Sequence, residues 1–152
     1  MPIHREIDKL EQNTAALAKL FIKKLEERGI RYRIIETLRD KVTQEAYWAR
    51  GREPYETVVE KYKAAGLQPP SPEEANMIIT KTKNSKHLLG KAIDIVPVRS
   101  SGTIPWVIKD ASDAALWLEF GEIGESCGFL WGGRWEPRDK WGIGWDPAHY
   151  ER

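Results

Sequence analysis

The sequence predicts an α+β fold in which helices flank a small antiparallel sheet. Three observations lead to this prediction. Residues 5–28 carry apolar side chains at helical spacing, residues 91–96 have the apolar, β-branched pattern of a buried strand, and no regular βαβ alternation follows. The 152 residues are the size of one ordinary domain, and we expect a single unit over 1–152, with an N-terminal helix within 1–30 and a core over 32–150.

The remaining elements follow from local patterns and stop signals. Gly51 and Gly66 each close an apolar, helix-like stretch, and Pro54 stands near the start of the second one. Residues 68–72 are rich in proline and predict a stiff loop. The predicted helices are 43–50, 54–65 and 110–126, and the predicted short strands are 31–36, 77–80, 129–131 and 148–150.

Composition excludes several classes of protein. The charges of the 24 basic and 23 acidic side chains nearly cancel, and the small net charge argues against a nucleic-acid-binding protein.

Cys127 is the only cysteine, so no intramolecular disulfide forms, and its setting favours a small core residue over a nucleophile. The N-terminal residues lack the apolar stretch of a signal peptide, and no segment is apolar enough to span a membrane. We expect synthesis in the cytoplasm without a signal peptide and no membrane insertion.

One acidic residue interrupts the most apolar strand of the chain. Along this strand Gly90, Ala92 and Asp94 are expected on one face, where the two small residues leave room beside the carboxylate. Burial of a lone carboxylate is costly, so Asp94 needs a partner, which a metal ion or an arginine could supply. The chain has three histidines, His4, His87 and His149. His4 stands before the first predicted helix and is expected to have no role, so His87 and His149 are the candidates to share such a metal ion.

The C-terminal end offers a second group of metal-binding side chains. His149 follows Asp146 by three residues, and Pro147 stiffens the turn between them. If His149 lies on a strand beside residues 91–96, two imidazoles and the carboxylate of Asp94 converge. Two histidines and one carboxylate leave a fourth zinc position open, which is the catalytic arrangement. Asp146 then remains free to accept a proton from a water molecule. The alternative for His87 and His149 is that they have no metal, since an isolated histidine is more often structural or exposed.

These residues resemble the motif of a known family. Ser-x-His-x-x-Gly-x-Ala-x-Asp at residues 85–94, followed by Asp-x-x-His at 146–149, is similar to the M15 zinc peptidases. That family includes D-Ala-D-Ala carboxypeptidases and dipeptidases, and the L-alanyl-D-glutamate peptidases that serve as phage endolysins. The resemblance implies a fold like that of the D,D-peptidases and Hedgehog.

Other segments resemble the endolysin branch of the same family. Residues 36–39 (Glu-Thr-Leu-Arg), with Gln44 and the stretch 49–52, are similar to its arginine-bearing segment. Residues 79–83 are similar to the approach to its first histidine, and residues 128–135 to its Gly-Leu-x-Trp-Gly-Gly-x-Trp segment. The resemblance covers about residues 32–150.

Two regions depart from the family pattern. Residues 136–145 form an unusual stretch before Asp146, and the N-terminal helix is longer than a minimal endolysin needs.

The resemblance assigns a role to each candidate residue. It implies one zinc ion bound by His87, Asp94 and His149. Asp146 would be the catalytic base, and Arg39 would bind substrate or stabilise the oxyanion. From the residues alone, Arg39 reads as a surface salt bridge with Asp40 or Glu36. The residues expected to support the site or bind substrate are Ser85, Gln44, Trp131 and Trp135.

The resulting hypothesis is a monomeric zinc peptidase that cleaves the stem peptides of bacterial peptidoglycan. We expect an L-alanyl-D-glutamate endopeptidase of the endolysin type, which reaches the wall through a pore made by another protein. A D,D-carboxypeptidase or dipeptidase is one alternative. A non-catalytic, zinc-stabilised cell-wall-binding module is another, although a pure binder has no need of a base such as Asp146.

Overall fold

A four-stranded antiparallel sheet forms the centre of the molecule, and this confirms the predicted fold class. The computed structural model describes residues 3–152. The strands are β1 (Arg31–Glu36), β2 (Ala92–Val98), β3 (Leu130–Trp131) and β4 (His149–Glu151), in the order β1-β2-β4-β3. All three neighbouring pairs are antiparallel, so the last strand of the chain lies inside the sheet, beside β2.

Helices account for most of the remaining regular structure. The described residues form five α-helices: α1 (Gln12–Glu27), α2 (Lys41–Ala49), α3 (Tyr55–Ala64), α4 (Pro72–Ala75) and α5 (Ala111–Ser126). Three short 3-10 turns join them: Ile7–Lys9, Lys86–Leu89 and Gly132–Arg134. No helix between residues 3 and 152 is both long and apolar enough to cross a bilayer.

The main core packs α1 and α5 against one face of the sheet. Phe21 of α1 and Phe120 of α5 are fully buried, with ring centroids 5.3 Å apart, and Phe21 also meets Tyr150 of β4. Ile93 and Ile95 of β2 belong to the same core. Because side chains alternate along a strand, Asp94 between them points to the opposite face of the sheet.

Two glycines of α5 let the helix lie directly on the final strands. A Cβ atom on Gly121 would enter the ring of Trp131, and one on Gly124 would enter the ring of Tyr150. Any larger residue at either position would push β3 or β4 away from the helix. The position of β4, and with it that of His149, therefore depends on these two small residues.

The structure corrects three local predictions. The helix predicted over 5–28 begins only at residue 12, where the Glu11 carboxylate accepts a hydrogen bond from the backbone N–H of Thr14 at 2.7 Å. The loop predicted over 68–72 ends in α4, which starts with a capping box between Ser71 and Glu74. The predicted strand at 77–80 was wrong, because these residues follow α4 without a strand partner. Met77, Ile78 and Ile79 are exposed, and Thr80 is buried.

Candidate metal centre

The register between β2 and β4 brings the predicted ligands together. Asp94 lies directly opposite His149 in the sheet, and His87 is on the 3-10 turn just before β2. His87 Nε2 is 3.0 Å from Asp94 Oδ1, and His149 Nδ1 is 3.2 Å from the same oxygen. One ligand atom from each residue lies within 4.8 Å of the others, and both histidines are buried.

Each histidine is oriented by a hydrogen bond on the ring nitrogen that faces away from Asp94. His87 Nδ1 is 2.7 Å from the carbonyl oxygen of Thr37, and His149 Nε2 is 2.8 Å from Glu151 Oε1. These nitrogens donate to the two oxygens, so the lone pairs of His87 Nε2 and His149 Nδ1 face Asp94. Protein ligands of zinc commonly have this outer hydrogen bond, which fixes the tautomer and the ring plane.

The spacing and chemistry of the three groups fit one zinc ion. Ligands about 2.0–2.1 Å from a tetrahedral zinc lie about 3.3 Å from one another, close to the two spacings around Asp94 Oδ1. Three electron-pair donors pointing at one place repel one another unless a cation lies between them. A set of two imidazoles and one carboxylate is also a known catalytic zinc set with an open position.

The turn that bears His87 is shaped by the residues on either side. Ser85 Oγ accepts a hydrogen bond from the His87 backbone N–H at 3.2 Å, which starts the turn. Gly90 ends it in the left-handed conformation, with φ of 68°. The prediction that Gly90 leaves room beside Asp94 was wrong, because β2 begins at Ala92 and Gly90 instead lies against the backbone of Leu10 and Glu11.

Arg39 extends from the end of β1 to the same site and is only 9% exposed. It donates two hydrogen bonds to Glu36, at 2.7 and 3.1 Å, and one to Gln44 Oε1 at 2.7 Å. Its Nη2 atom is also 3.9 Å from Asp94 Oδ2. Burial opposes the charge of Arg39, but the hydrogen-bonded Glu36 carboxylate beside it raises the pKa of Arg39. Arg39 therefore keeps its positive charge beside the candidate metal ligands. The salt bridge with Glu36, predicted to lie on the surface, is buried.

Gln44 connects Arg39 to the opposite wall of the cleft. Its amide nitrogen donates to the carbonyl oxygen of Thr82 at 2.6 Å and lies 3.2 Å from Thr80 Oγ1. Since its amide oxygen accepts from Arg39, the buried side chain of Gln44 is satisfied at both ends. This series of hydrogen bonds, from Glu36 through Arg39 and Gln44 to residue 82, holds the guanidinium in a fixed orientation.

Asp146 lines the same cleft as the ligand set. Burial, together with the nearby charge of Asp94, raises the pKa of Asp146 to about 6. Burial alone would lower the pKa of His149, but the Asp94 and Glu151 carboxylates stabilise the protonated form of the ring, in which both nitrogens donate, and raise its pKa to about 10. The neutral ring, with the Nδ1 lone pair towards Asp94, is the form that binds a metal ion. The negative charge of Asp94 contributes to both shifts.

The four tryptophans near the C-terminus divide between the cleft and other locations. Trp135 and Trp145 line the cleft, and the ring of Trp135 lies 5.1 Å from that of His149. Trp131 is 1% exposed and stacks on Tyr150 in the core. Its indole N–H donates to the carbonyl oxygen of Pro147 at 2.7 Å, so it holds the Asp146–His149 turn from beneath. Trp141 lies outside the cleft.

Two acidic residues of the site were not singled out from the sequence. Glu151 holds His149, and it could have been found because residues two apart on a strand share a face. Glu36 was considered only as a surface partner of Arg39. The three-residue spacing between Glu36 and Arg39 does not indicate that the pair is buried. His4 lies outside the cluster, 3.5 Å from Asp40, as the sequence suggested.

The cleft has a volume of about 510 Å³ and opens beside the three ligands. Its walls carry cations as well as the acidic groups at its floor. Lys81 lies 4.5 Å over the ring of Trp145 at one side, and Lys86 lines the other. A cleft of this size, with one apolar wall and convergent polar groups, suits a short peptide.

Comparison with known proteins gives a family match for the part of the chain that bears the ligands. Residues 79–152 match the family model Peptidase_M15_4, described as D-alanyl-D-alanine carboxypeptidase. The resemblance to the M15 peptidases is confirmed. The matched segment contains His87, Asp94, Asp146 and His149, whereas Arg39 lies outside it. A search of curated protein sequences returned no match.

Solved structures show a similar fold at low sequence identity. The L-Ala D-Glu endopeptidase ChiX of Serratia marcescens is 18% identical with a TM-score of 0.51, and the match covers 95% of this chain and 81% of that one. The D,D-pentapeptidase VanY of a VanB-type vancomycin resistance cassette, solved with Zn(II), is 19% identical with a TM-score of 0.53 and coverages of 93% and 71%. The LD-carboxypeptidase LdcB is 17% identical with a TM-score of 0.53, and the match covers 93% of this chain and 58% of that one.

Proposed function

We propose that the chain is a zinc-dependent peptidase that cleaves the stem peptides of bacterial peptidoglycan. The observation that carries this proposal is a single cleft in which His87, Asp94 and His149 converge beside Asp146 and Arg39. When bound by the three ligands, zinc would polarise a peptide carbonyl and lower the pKa of a water molecule towards ~7.

Asp146 is the proposed general base. Its carboxylate lines the cleft next to the ligand set, and burial keeps its pKa above that of an ordinary aspartate. A carboxylate there can take a proton from the attacking water and later give it to the leaving amine. The backbone oxygen of Asp146 accepts a hydrogen bond from the His149 N–H at 3.2 Å, so the base and one ligand share a short, fixed turn.

Arg39 is the proposed stabiliser of the charge that develops on the carbonyl oxygen. Glu36 and Gln44 hold its guanidinium, and its nearest approach to a ligand is the 3.9 Å to Asp94. A fixed positive charge in a buried site stabilises an oxyanion without reorganisation during the reaction.

For the bond cleaved, we propose the L-alanyl-D-glutamate bond. The residues that resemble the endolysin branch support this choice, and so does the match to ChiX, which is itself an L-Ala D-Glu endopeptidase. We further propose that the chain acts on the cell wall as a monomer, and that a separate pore-forming protein gives it access.

A D,D-carboxypeptidase is the second candidate. The family model is described by that activity, and one structure similar to this chain is VanYB in complex with D-alanine-D-alanine. The two candidates share the ligand set, the base and the arginine, and they differ in where the substrate chain leaves the cleft.

Mass spectrometry of digested peptidoglycan would decide between the two. We expect fragments with new D-glutamate amino termini after incubation with the zinc-loaded protein. Release of free D-alanine without such fragments would establish the carboxypeptidase instead. If neither product forms, while the protein still binds the wall, the chain is a binding module and the proposed activity is wrong.

Glu151 provides a test of how the chain presents His149 to the metal. Replacing Glu151 with alanine removes the 2.8 Å hydrogen bond that fixes the His149 ring, and loss of such a partner typically weakens metal affinity about 10–100-fold. We expect a loss of this order in calorimetric titration with zinc. Glu151→Gln keeps an acceptor and should lose less.

A matched control separates this effect from a general change of charge. Glu119 pairs with Arg28 on the surface, at 3.7 Å, and does not line the cleft. Glu119→Ala should therefore bind zinc as tightly as the parent chain. Equal affinities for Glu151→Ala and Glu119→Ala would show that Glu151 does not position the ligand.

A further inference from the structure

A second cavity lies beside the metal cleft and shares Trp145 with it. It has a volume of about 510 Å³, and its walls include Trp106, Trp141 and Trp145. Trp145 lines both cavities, and the adjacent residues Asp146 and Pro147 line one cavity each. The two cavities are therefore neighbours that share Trp145 as a wall.

The walls of this second cavity are held in place by the chain itself. The carboxylate of Asp139 accepts hydrogen bonds from the backbone N–H groups of Trp141 and Ile143, at 2.8 and 3.0 Å. The Ile143 side chain is buried, and the Gly144 N–H donates to the Gly133 carbonyl at 2.6 Å. The unusual segment 136–145 is thus a loop fixed by these hydrogen bonds, and it forms one wall of the cavity.

The opposite wall exposes one large aromatic face to solvent. Trp106 is 58% exposed and belongs to none of the hydrophobic clusters of the described residues. Its loop is fixed because the buried indole N–H of Trp117 donates to the carbonyl oxygen of Pro105 at 2.8 Å. An exposed indole on a fixed loop contributes little to folding, but it offers a flat apolar surface to a ligand.

We propose that this second cavity binds the sugar to which the stem peptide is attached, an N-acetylated amino sugar of the glycan strand. This inference rests on the proposed function. Pyranose rings present apolar C–H faces that stack on indole rings, and their hydroxyl and acetamido groups suit the side chains of Arg138 and Lys140 at the rim. A volume of this size is that of a small-molecule site rather than of a protein interface.

The length of the stem peptide explains why the sugar lies beside this particular cleft. In peptidoglycan the first amino acid, L-alanine, is joined to the sugar through a lactyl group. When the bond after that residue is cleaved, one residue and the lactyl group separate the sugar from the reacting carbonyl, a distance of about 7 Å at ~3.5 Å per unit. The rings of His149 and Trp135 are 5.1 Å apart and those of Trp135 and Trp145 are 5.6 Å apart, so Trp145, in the wall of the second cavity, lies within about 11 Å of His149. This span is comparable with the reach of the lactyl group and L-alanine plus the width of the sugar ring.

A carboxypeptidase would hold the sugar farther from the reacting carbonyl than this cavity lies. Its scissile bond is at the far end of the stem, so at least three further residues add about 10 Å to the separation between the sugar and that carbonyl. The position of the second cavity therefore favours cleavage near the sugar, and it gives segment 136–145 a role in substrate selection.

Kinetics on two matched substrates test the inference. One is the free stem peptide, and the other is the same peptide attached to the disaccharide of N-acetylglucosamine and N-acetylmuramic acid. We expect the parent chain to prefer the sugar-linked substrate, and Trp106→Ala to reduce that preference in kcat/KM about three- to tenfold. Val107→Ala is the matched control, since Val107 is the next residue, is 71% exposed and does not line the cavity.

A binding measurement keeps the inference testable whether or not the chain is a peptidase. The seven tryptophans give resolvable indole N–H signals in nuclear magnetic resonance spectra. Titration with the disaccharide alone should shift the signals of Trp106 and Trp141 and leave that of Trp48, which lies outside the cavity, unchanged. Such shifts without cleavage of either substrate would uphold the sugar site and reject the proposed function. An unchanged Trp106 signal, with equal kcat/KM for both substrates, would overturn the sugar site.

Discussion

Replacing Asp146 with asparagine should reduce kcat about 10²–10⁴-fold while leaving zinc binding intact, since general acid–base catalysis contributes a factor of this order. The amide of asparagine has nearly the same shape as the carboxylate, but it cannot take the proton of the attacking water. Asp146 is not among the three groups that converge on the metal position, so the ligand set is unchanged. Steady-state kinetics and zinc titration of the same preparation measure both quantities.

Asp8→Asn is a suitable control for this experiment. Asp8 is an exposed acidic residue of the first 3-10 turn, and it lines neither the metal cleft nor the second cavity. Its substitution should leave cleavage of the stem peptide near the parent rate. An Asp146→Asn chain that cleaves peptidoglycan as fast as the parent would remove Asp146 from the mechanism.

Replacing Arg39 with alanine should affect both catalysis and stability. Loss of one oxyanion-stabilising group typically reduces kcat about 10²–10³-fold. The same change leaves the Glu36 carboxylate buried without its partner, and breaking a buried pair in this way costs about 3–5 kcal/mol in the free energy of unfolding. Denaturant unfolding and steady-state kinetics would measure the two effects separately.

A conservative variant distinguishes the catalytic from the structural part of this effect. Arg39→Lys keeps the positive charge beside Glu36, so it should recover part of the lost stability. It cannot reproduce the two hydrogen bonds to Glu36 together with the one to Gln44, and the rate should stay well below that of the parent. A lysine variant with the full parental rate would show that charge alone, and not the fixed guanidinium, is required.

The sequence predicts the sheet and the ligand set for related reasons. The apolar stretch around Asp94 predicts β2, and an acidic residue inside it predicts a partner on the neighbouring strand. The structure pairs Asp94 with His149 across β2 and β4, as expected for residues that share a metal ion. The helices 43–50, 54–65 and 110–126 form within one or two residues of their predicted bounds.

Other features depend on contacts between distant segments, and local patterns do not reveal them. Gly90 has the spacing of a strand residue, but the backbone of Leu10 and Glu11 lies against it and the chain turns there. Trp131 resembles a substrate-binding residue by its setting among glycines, yet the close approach of α5 at Gly121 places it in the core. In the same way, the burial of Glu36 follows from its position under Arg39 and could not be read from its neighbours.

Metal analysis of the purified chain tests the central claim most directly. The account predicts about one zinc ion per parent chain and none tightly bound in Asp94→Ala or His149→Ala variants that remain folded by circular dichroism. Chelation should abolish activity, lower the melting temperature of the parent chain, and be reversed by added zinc. A parent chain without tightly bound metal, whose activity added zinc does not change, would contradict the account.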